Sequence, residues 1–199
     1  MLHSFLVPFL RPSIMSLFKF TTRTFALSRT KLIPNSKYPL IIYQGAFPPD
    51  VSPETIESHF LKYKWAPEWR YGMYKRSHYH STTHEALGVF KGSVRLRFGV
   101  SDKEVSEGLE SNANTNADPQ AMETDVSVGD VLVIPSGVAH RCVEEKDGFQ
   151  MVGAYPEGAK QWDMKYGGEK GKTDTSIPEF DPFLGNDEQG LKGLWKEHT

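Results

Sequence analysis

The chain has 199 residues, of which 38% are hydrophobic and 24% charged, and this length suits a single domain with one core. No apolar run approaches the 18 residues of a membrane-spanning helix. Cys142 is the only cysteine, so an internal disulfide and cysteine-rich zinc or iron–sulfur sites are excluded, and any metal must be held by histidine and carboxylate. The net charge of -2 gives no reason to expect nucleic acid as a partner, which leaves a small molecule as the expected ligand.

The first 30 residues differ in composition from the rest of the chain. No aspartate or glutamate precedes Asp50, and serine and threonine alternate here with the basic residues Arg11, Lys19, Arg23 and Arg29. This composition is typical of a mitochondrial transit peptide, so we predict that residues 1–30 are disordered and target the protein to mitochondria. The alternative is a disordered tail on a cytoplasmic protein.

A single domain is predicted over residues 31–199, and it begins with a strand and a short helix. The apolar run at residues 40–43 predicts the strand. Ser52 can cap a helix and Pro53 suits its first turn, so a helix should begin there. Ile56, Phe60 and Leu61 would form its apolar stripe.

Residues 69–155 contain short strand patterns separated by turn residues, among them Gly92, Gly129 and Gly137, which predicts an all-β sandwich or barrel. Within this region, residues 101–125 are acidic and almost free of large apolar side chains, and we predict a disordered insertion there. Residues 158–199 form a C-terminal extension. Its aromatic residues, such as Trp162 and Trp195, predict that it packs back on the barrel.

Four residues are candidate metal ligands. Side chains two apart in a strand share a face, so His78 and His80 should point together, and Glu85 can return from the next strand. His140 follows a tight turn and can complete the set. Three imidazoles and one carboxylate suit Mn(II), Fe(II), Ni(II), Co(II) or Zn(II). Two histidines alone would also fit a surface or a satisfied core position.

These two segments resemble the paired motifs of the cupin superfamily. The positions that match are Gly72, His78, His80, Glu85 and Gly92 in the first motif, and Gly129, Pro135, Gly137 and His140 in the second. More narrowly, residues 33–35, 78–85 and 153–158, the last followed by Trp162 and Asp163, look like the single-domain YjlB-like group. The resemblance implies an RmlC-like double-stranded β-helix, a jelly-roll barrel, with a metal at one mouth held by the four candidate ligands. It implies no particular reaction.

One position departs from the family pattern, because Glu144 stands where the second motif usually has asparagine. If strand alternation continues from His140, Glu144 points into the barrel and becomes the candidate catalytic acid or base. The alternative is a solvated Glu144 on a bulge.

Two further candidates concern substrate binding. Tyr74 and Arg76 are in phase with His78 and should face the cavity, where Arg76 can pair with an anionic substrate. The alternative is a buried tyrosine and an arginine neutralised by Glu144 or Glu85. Strand alternation turns His84 outward, to a position behind the ligands or on the surface, and the alternative is a local irregularity that exchanges the roles of His84 and Glu85.

Two classes of function are compatible with this sequence. The first is a metalloenzyme of the oxidase, dioxygenase, decarboxylase or isomerase class that acts on a small oxygenated anion. The second is a non-catalytic cupin that binds a metal or a small metabolite, because fold alone does not settle activity. A homodimer is compatible with either.

Overall fold

A computed structural model describes residues 19–108, 121–169 and 171–198. Seven strands and three short α-helices follow one another along the chain, with a 3₁₀ turn at Lys196–His198 near the end. In order they are β1 Thr21–Phe25, β2 Leu40–Gln44, α1 Pro53–Lys62, β3 Trp65–Tyr71, β4 Glu85–Phe98, α2 Asp102–Ser106, β5 Met122–Ser127, β6 Val131–Ile134, β7 His140–Pro156 and α3 Leu191–Leu194. No helix among these residues is long and apolar enough to cross a membrane.

All strand pairs are antiparallel, and the order in the sheet is β1-β2-β6-β4-β7-β3, with β5 also paired to β4. The long strand β4 changes partner along its length. Its first part pairs with β6 and its last part with β5, while β7 runs beside both parts through several shifts in register. These breaks let the long strands bend, and the sheet folds over on itself as an all-β jelly-roll barrel.

Two apolar clusters fill the domain. The first lies inside the barrel and includes Leu40, Leu87, Leu96 and Phe98. The second lies on the other face of the sheet, where α1 and the C-terminal extension contribute Ile56, Phe60, Phe183 and Trp195. The indole of Trp195 stacks on Tyr38 with ring centroids 4.8 Å apart and donates to the carbonyl of Pro39 at 3.0 Å. The extension therefore packs on the barrel as predicted.

Helix α1 begins where the sequence predicts. The hydroxyl of Ser52 accepts a hydrogen bond from the backbone N–H of Thr55 at 3.2 Å, and Pro53 is the first helical residue. Ile56 and Phe60 are fully buried, whereas Leu61 is exposed. The apolar stripe is thus narrower than predicted, since α1 covers the sheet with one edge only.

The prediction that residues 1–30 are disordered is wrong for residues 21–30. Strand β1 pairs with β2 from Thr21 opposite Gln44 to Phe25 opposite Leu40, and Leu27 and Thr30 are buried. Residues 1–18 lie outside the described residues. The basic and hydroxyl-rich composition did not distinguish a strand from a transit peptide, because threonine is common in both.

The predicted disordered insertion at 101–125 is also wrong at both ends. Ser101 and Glu104 form a reciprocal capping box at the start of α2. Residues 122–125 belong to β5, in which Thr124 is buried and Glu123 and Asp125 pair with Arg97 and Arg95 of β4. Residues 109–120 lie outside the described residues. The acidic side chains are therefore partners of a basic neighbouring strand.

Candidate metal centre

The three histidines come from two segments of the chain that pair with each other. His78 and His140 form an antiparallel backbone bridge, in which each backbone N–H donates to the carbonyl of the other at 3.2 and 2.9 Å. His80 lies two residues further along the same face as His78. The turn before His140 depends on Gly137, which has φ +91° and whose N–H donates to the carbonyl of His80 at 2.8 Å. A Cβ on Gly137 would lie 2.6 Å from the carbonyl oxygen of Asn35.

The four candidate ligands converge in the described structure. One ring nitrogen from each of His78, His80 and His140 lies within 4.8 Å of the other two, and all three side chains are buried. Glu85, the first residue of β4, faces two of them. Its Oε1 lies 3.4 Å from Nε2 of His80 and its Oε2 lies 3.4 Å from Nε2 of His140.

Hydrogen bonds at Nδ1 fix the tautomer of each ring. The Nδ1 of His78 contacts the carbonyl of Arg76 at 3.1 Å, that of His140 the carbonyl of Val138 at 3.0 Å, and that of His80 the carbonyl of Asp163. A carbonyl oxygen only accepts, so each Nδ1 carries the proton. In the neutral ring the lone pair is then on Nε2, which is the arrangement that metal-binding histidines use.

The electrostatics of the cluster favour a bound cation. Burial lowers the pKa of His78, and burial together with the adjacent His78 lowers that of His140 to about 3. Burial by itself raises the pKa of the Glu85 carboxyl, but His80, His140 and the Tyr155 hydroxyl outweigh it and lower the pKa to about 2. Burial by itself lowers the pKa of His80, and the Glu85 charge outweighs it and raises that pKa. Glu85 is thus a buried carboxylate whose ionised form the surrounding groups favour.

The carboxylate of Glu85 is supported on one side only. Its Oε1 accepts from the Tyr155 hydroxyl at 2.8 Å, and that hydroxyl accepts from the indole N–H of Trp69 at 3.1 Å. Its Oε2 is buried and has no hydrogen-bond partner among the described residues. A buried carboxylate oxygen without a partner is costly unless a cation satisfies it. Three Nε2 atoms and this oxygen therefore fit a divalent transition metal ion.

A small pocket opens over the four residues. No lysine or arginine is among the described residues that line it, and Glu85 is the one carboxylate there. Sequence reasoning did not single out Trp69 or Tyr155, although Tyr155 belongs to the run 153–158 that carries the resemblance. The other lining residues are Tyr71, Gly72, Met73, Tyr74, Trp162 and Met164.

The two substrate-binding candidates, Tyr74 and Arg76, lie in different places. Tyr74 lines the pocket, with its ring centroid 5.4 Å from that of His78, and it is 47% exposed rather than buried. Arg76 does not line the pocket, and the prediction that it faces the cavity is wrong. Its guanidinium lies over the ring of Tyr166 at 3.6 Å. Residues 72–77 form no regular strand, so strand alternation does not extend from His78 back to Arg76.

The prediction that Glu144 points into the barrel is also wrong. Its side chain is 58% exposed and lies 3.7 Å from the ammonium group of Lys146. Leu96 is opposite Cys142, whereas the preceding Arg95 is opposite Glu144, so Val143 is an extra residue in β7. This bulge reverses the alternation and turns Glu144 outward.

His84 is buried rather than outward-facing, and it is separate from the ligand cluster. Its Nδ1 accepts from the backbone N–H of Ser136 at 2.9 Å, and its Nε2 donates to the carbonyl of Ser176 at 2.7 Å. Both ring nitrogens are occupied, so His84 has no lone pair for a metal. Its role is to join the turn before His140 to the C-terminal extension.

Comparisons with known proteins agree with this architecture. A family model described as Cupin matches residues 72–158. A protein of Bacillus subtilis (strain 168), described as "Uncharacterized protein YjlB", is 29% identical over 182 residues, which cover 87% of this chain and 96% of the relative.

Two solved structures are also similar in part. Vicilin from Solanum melongena is 17% identical with a TM-score of 0.32, over 67% of this chain and 26% of the vicilin chain. RmlC from Streptococcus suis is 12% identical with a TM-score of 0.35, over 70% of this chain and 74% of that chain. TM-scores this low indicate partial overlap.

Proposed function

Because this chain is a cupin of the YjlB-like group, we propose that it binds one divalent transition metal ion through His78, His80, Glu85 and His140. One observation carries the proposal. The buried Glu85 Oε2 has no hydrogen-bond partner among the described residues and faces Nε2 of His140, whose Nδ1 proton is already donated. The donor set suits Mn(II), Fe(II), Ni(II), Co(II) or Zn(II).

We propose further that the protein is a metalloenzyme acting on a small oxygenated anion, of the oxidase, dioxygenase, decarboxylase or isomerase class. A bound ion would supply Lewis-acid or redox chemistry. The protein's own residues shape and dry the pocket, since Trp69, Tyr155 and Trp162 form its walls. The described lining offers no arginine or lysine. One carboxylate leaves a divalent ion with one uncompensated positive charge, which supports a monoanion as the ligand.

Apart from the candidate ligands, the side chains of Glu144, Tyr71 and Tyr155 do not favour proton transfer near neutral pH. Glu144 faces solvent, which removes the candidate acid or base. Burial is the main factor that raises the pKa of Tyr71, to about 12, and it also raises that of Tyr155. These observations support either chemistry centred on the metal or the alternative function, a non-catalytic cupin that binds a metal or metabolite.

Metal analysis tests the proposed function. Protein purified without added metal should contain close to one equivalent of a transition metal, and His140→Ala and Glu85→Gln should lose most of it while remaining folded. His198→Ala, which removes a histidine of the C-terminal 3₁₀ turn, is the matched control and should keep its metal. Equal metal content in all four proteins would refute the assignment.

The cellular location and the assembly state stay predictions. Mitochondrial targeting is tested by fusing residues 1–30 to a fluorescent reporter, and cytoplasmic fluorescence would refute it. A homodimer is tested by light scattering on the purified protein.

A further inference from the structure

Part of the C-terminal extension runs along the strand-like segment that carries His78 and His80. Tyr79 and Lys165 exchange backbone hydrogen bonds at 2.8 and 3.0 Å, and the hydroxyl of Thr82 donates to the carbonyl of Gln161 at 2.8 Å. We call residues 161–165 the docked segment. It adds to the histidine segment as an extra antiparallel pairing, so the two segments hold each other in register.

Asp163 lies at the centre of the docked segment and uses all its acceptor groups there. Its carbonyl accepts from Nδ1 of His80. Its carboxylate accepts from the backbone N–H of Ser81 and from the Ser81 hydroxyl, each at 2.6 Å, and lies 3.6 Å from the ammonium of Lys165. Asp163 therefore holds Ser81 with its side chain and the imidazole of His80 with its backbone carbonyl.

His80 differs from the other two histidines in this respect. His78 and His140 donate to carbonyls two residues earlier in their own segments, so their ring orientations are set locally. The carbonyl that orients His80 is 83 residues away along the chain. The neighbours of Asp163, which are Trp162 and Met164, line the pocket. The position of His80 thus depends on how the docked segment binds.

We infer that Asp163 is a positioning residue for His80, and this inference rests on the proposed metal-binding function. The carboxylate anchors Ser81, and this anchor places the Asp163 carbonyl where it fixes the tautomer and the plane of the His80 ring. Groups that orient a metal-binding histidine in this way raise metal affinity about 10- to 100-fold.

Cobalt binding to the full-length protein tests the inference. Asp163→Ala should weaken Co(II) binding by about 10-fold or more and change the visible d–d spectrum of the bound ion, because His80 loses its fixed orientation. Asp163→Asn keeps one oxygen acceptor for Ser81 and should retain more affinity than Asp163→Ala. The control is Asp174→Ala in the same extension, whose carboxylate accepts from Ser176 at 2.9 and 3.0 Å. It should bind Co(II) like the wild type.

A second readout does not depend on metal. Long-range ¹H–¹⁵N spectra of the metal-free protein should show the proton of His80 on Nδ1 in the wild type, and a mixture of tautomers in Asp163→Ala. Unchanged Co(II) affinity and spectrum in Asp163→Ala would overturn the inference, and a merely structural role would lower the melting temperature without moving either spectrum. If Asp163→Ala does not fold, the same Co(II) and ¹H–¹⁵N measurements on Asp163→Asn and Ser81→Ala test the inference instead. If the wild type binds no Co(II), the proposed function fails, and the tautomer of His80 alone decides whether Asp163 positions it.

Discussion

Tyr155 connects the wall of the pocket to the candidate ligand Glu85. Its hydroxyl donates to Glu85 Oε1 and accepts from Trp69, so both of its hydrogen-bonding functions are used in holding the carboxylate. Trp69 in turn occupies the space above Gly153, where a Cβ would lie 2.0 Å from the indole. The orientation of Glu85 thus depends on a glycine two residues before Tyr155.

We expect Tyr155→Phe to weaken metal binding by about 10-fold, because Glu85 loses the donor that orients it. Competition with a coloured chelator measures the change. Tyr74→Phe removes a hydroxyl from the same pocket and is the control, since no contact of Tyr74 with Glu85 appears in the described structure. Equal losses in the two variants would contradict a specific role of Tyr155.

Glu104 connects α2 to the chain that precedes β2. Its Oε1 accepts from the N–H of Leu32 at 2.9 Å, and its Oε2 accepts from the N–H and the hydroxyl of Ser101 at 3.0 Å. Burial by itself raises the pKa of the Glu104 carboxyl, but these hydrogen bonds and one from Thr30 outweigh it and lower the pKa below the usual 4.5.

A lowered pKa in the folded state means that Glu104 stabilises the fold above pH 4.5 and that this contribution is lost as the pH falls through the folded-state pKa. We expect Glu104→Gln to cost about 1 to 3 kcal/mol of unfolding free energy at pH 7, because buried donors lose their acceptor. The difference from the wild type should shrink below pH 4.5 in urea titrations. Glu107→Gln, on the exposed end of α2, should cost about 0.5 kcal/mol or less at either pH. A pH-independent cost of Glu104→Gln would refute the account.

At the level of elements, β1 sets a limit on where a leader can end. A cleavage near Thr30 would remove β1, which supplies five pairs to β2 and a hydrogen bond from Arg23 to Thr124 of β5 at 3.2 Å. A targeting segment that leaves the fold intact must therefore end before Thr21.

We expect a chain that begins at Ser28 to be less stable than one that begins at Lys19, because the shorter chain exposes the edge of β2. Each kcal/mol lost should lower the melting temperature by roughly 2 to 4 °C in a protein of this size. Differential scanning calorimetry of the two chains measures the effect. Equal melting temperatures would mean that β1 contributes nothing to the stability of the barrel.

Elements whose ends are marked by their own residues could be predicted from the sequence. Elements that depend on pairing with a distant strand could not. Ser52 and Pro53 mark the start of α1 in the sequence itself. By contrast, the acidic side chains of β5 pair with basic side chains of β4. Without knowledge of that partner strand, an acidic run predicts a solvated loop. The prediction that Glu144 points inward was wrong for a related reason. The bulge at Val143 arises from the pairing of β7 with β4, and the sequence of β7 alone does not indicate it.

The same distinction applies to the candidate site. His78, His80 and Glu85 could be predicted from the spacing within one short segment, and His140 from the resemblance of the second segment to the cupin motif. Their supports could not, because Tyr155 and Asp163 reach the site by pairings across 70 and 83 residues. A backbone carbonyl as hydrogen-bond acceptor, moreover, leaves no mark in the sequence.

For the whole molecule, we expect a bound metal to stabilise the fold, since only the folded chain brings the four ligands together. A free ion at 100 times its dissociation constant adds about 2.7 kcal/mol, which should raise the melting temperature by roughly 5 to 10 °C. Thermal denaturation with and without Co(II) measures this shift. The variant His140→Ala is the control, and an equal shift in that variant would mean that the ion binds elsewhere.

The hydrogen bond from His80 to Asp163 also has a consequence for the order in which the protein is made. Ribosomes synthesise a chain from its N-terminus, so all four candidate ligands and the whole region that matches the family model precede Asp163 in time. A nascent chain that has reached residue 158 already contains His78, His80, Glu85 and His140, but it lacks the carbonyl that orients His80. In the proposed metal centre, His80 therefore gains its fixed orientation only after translation has passed residue 163.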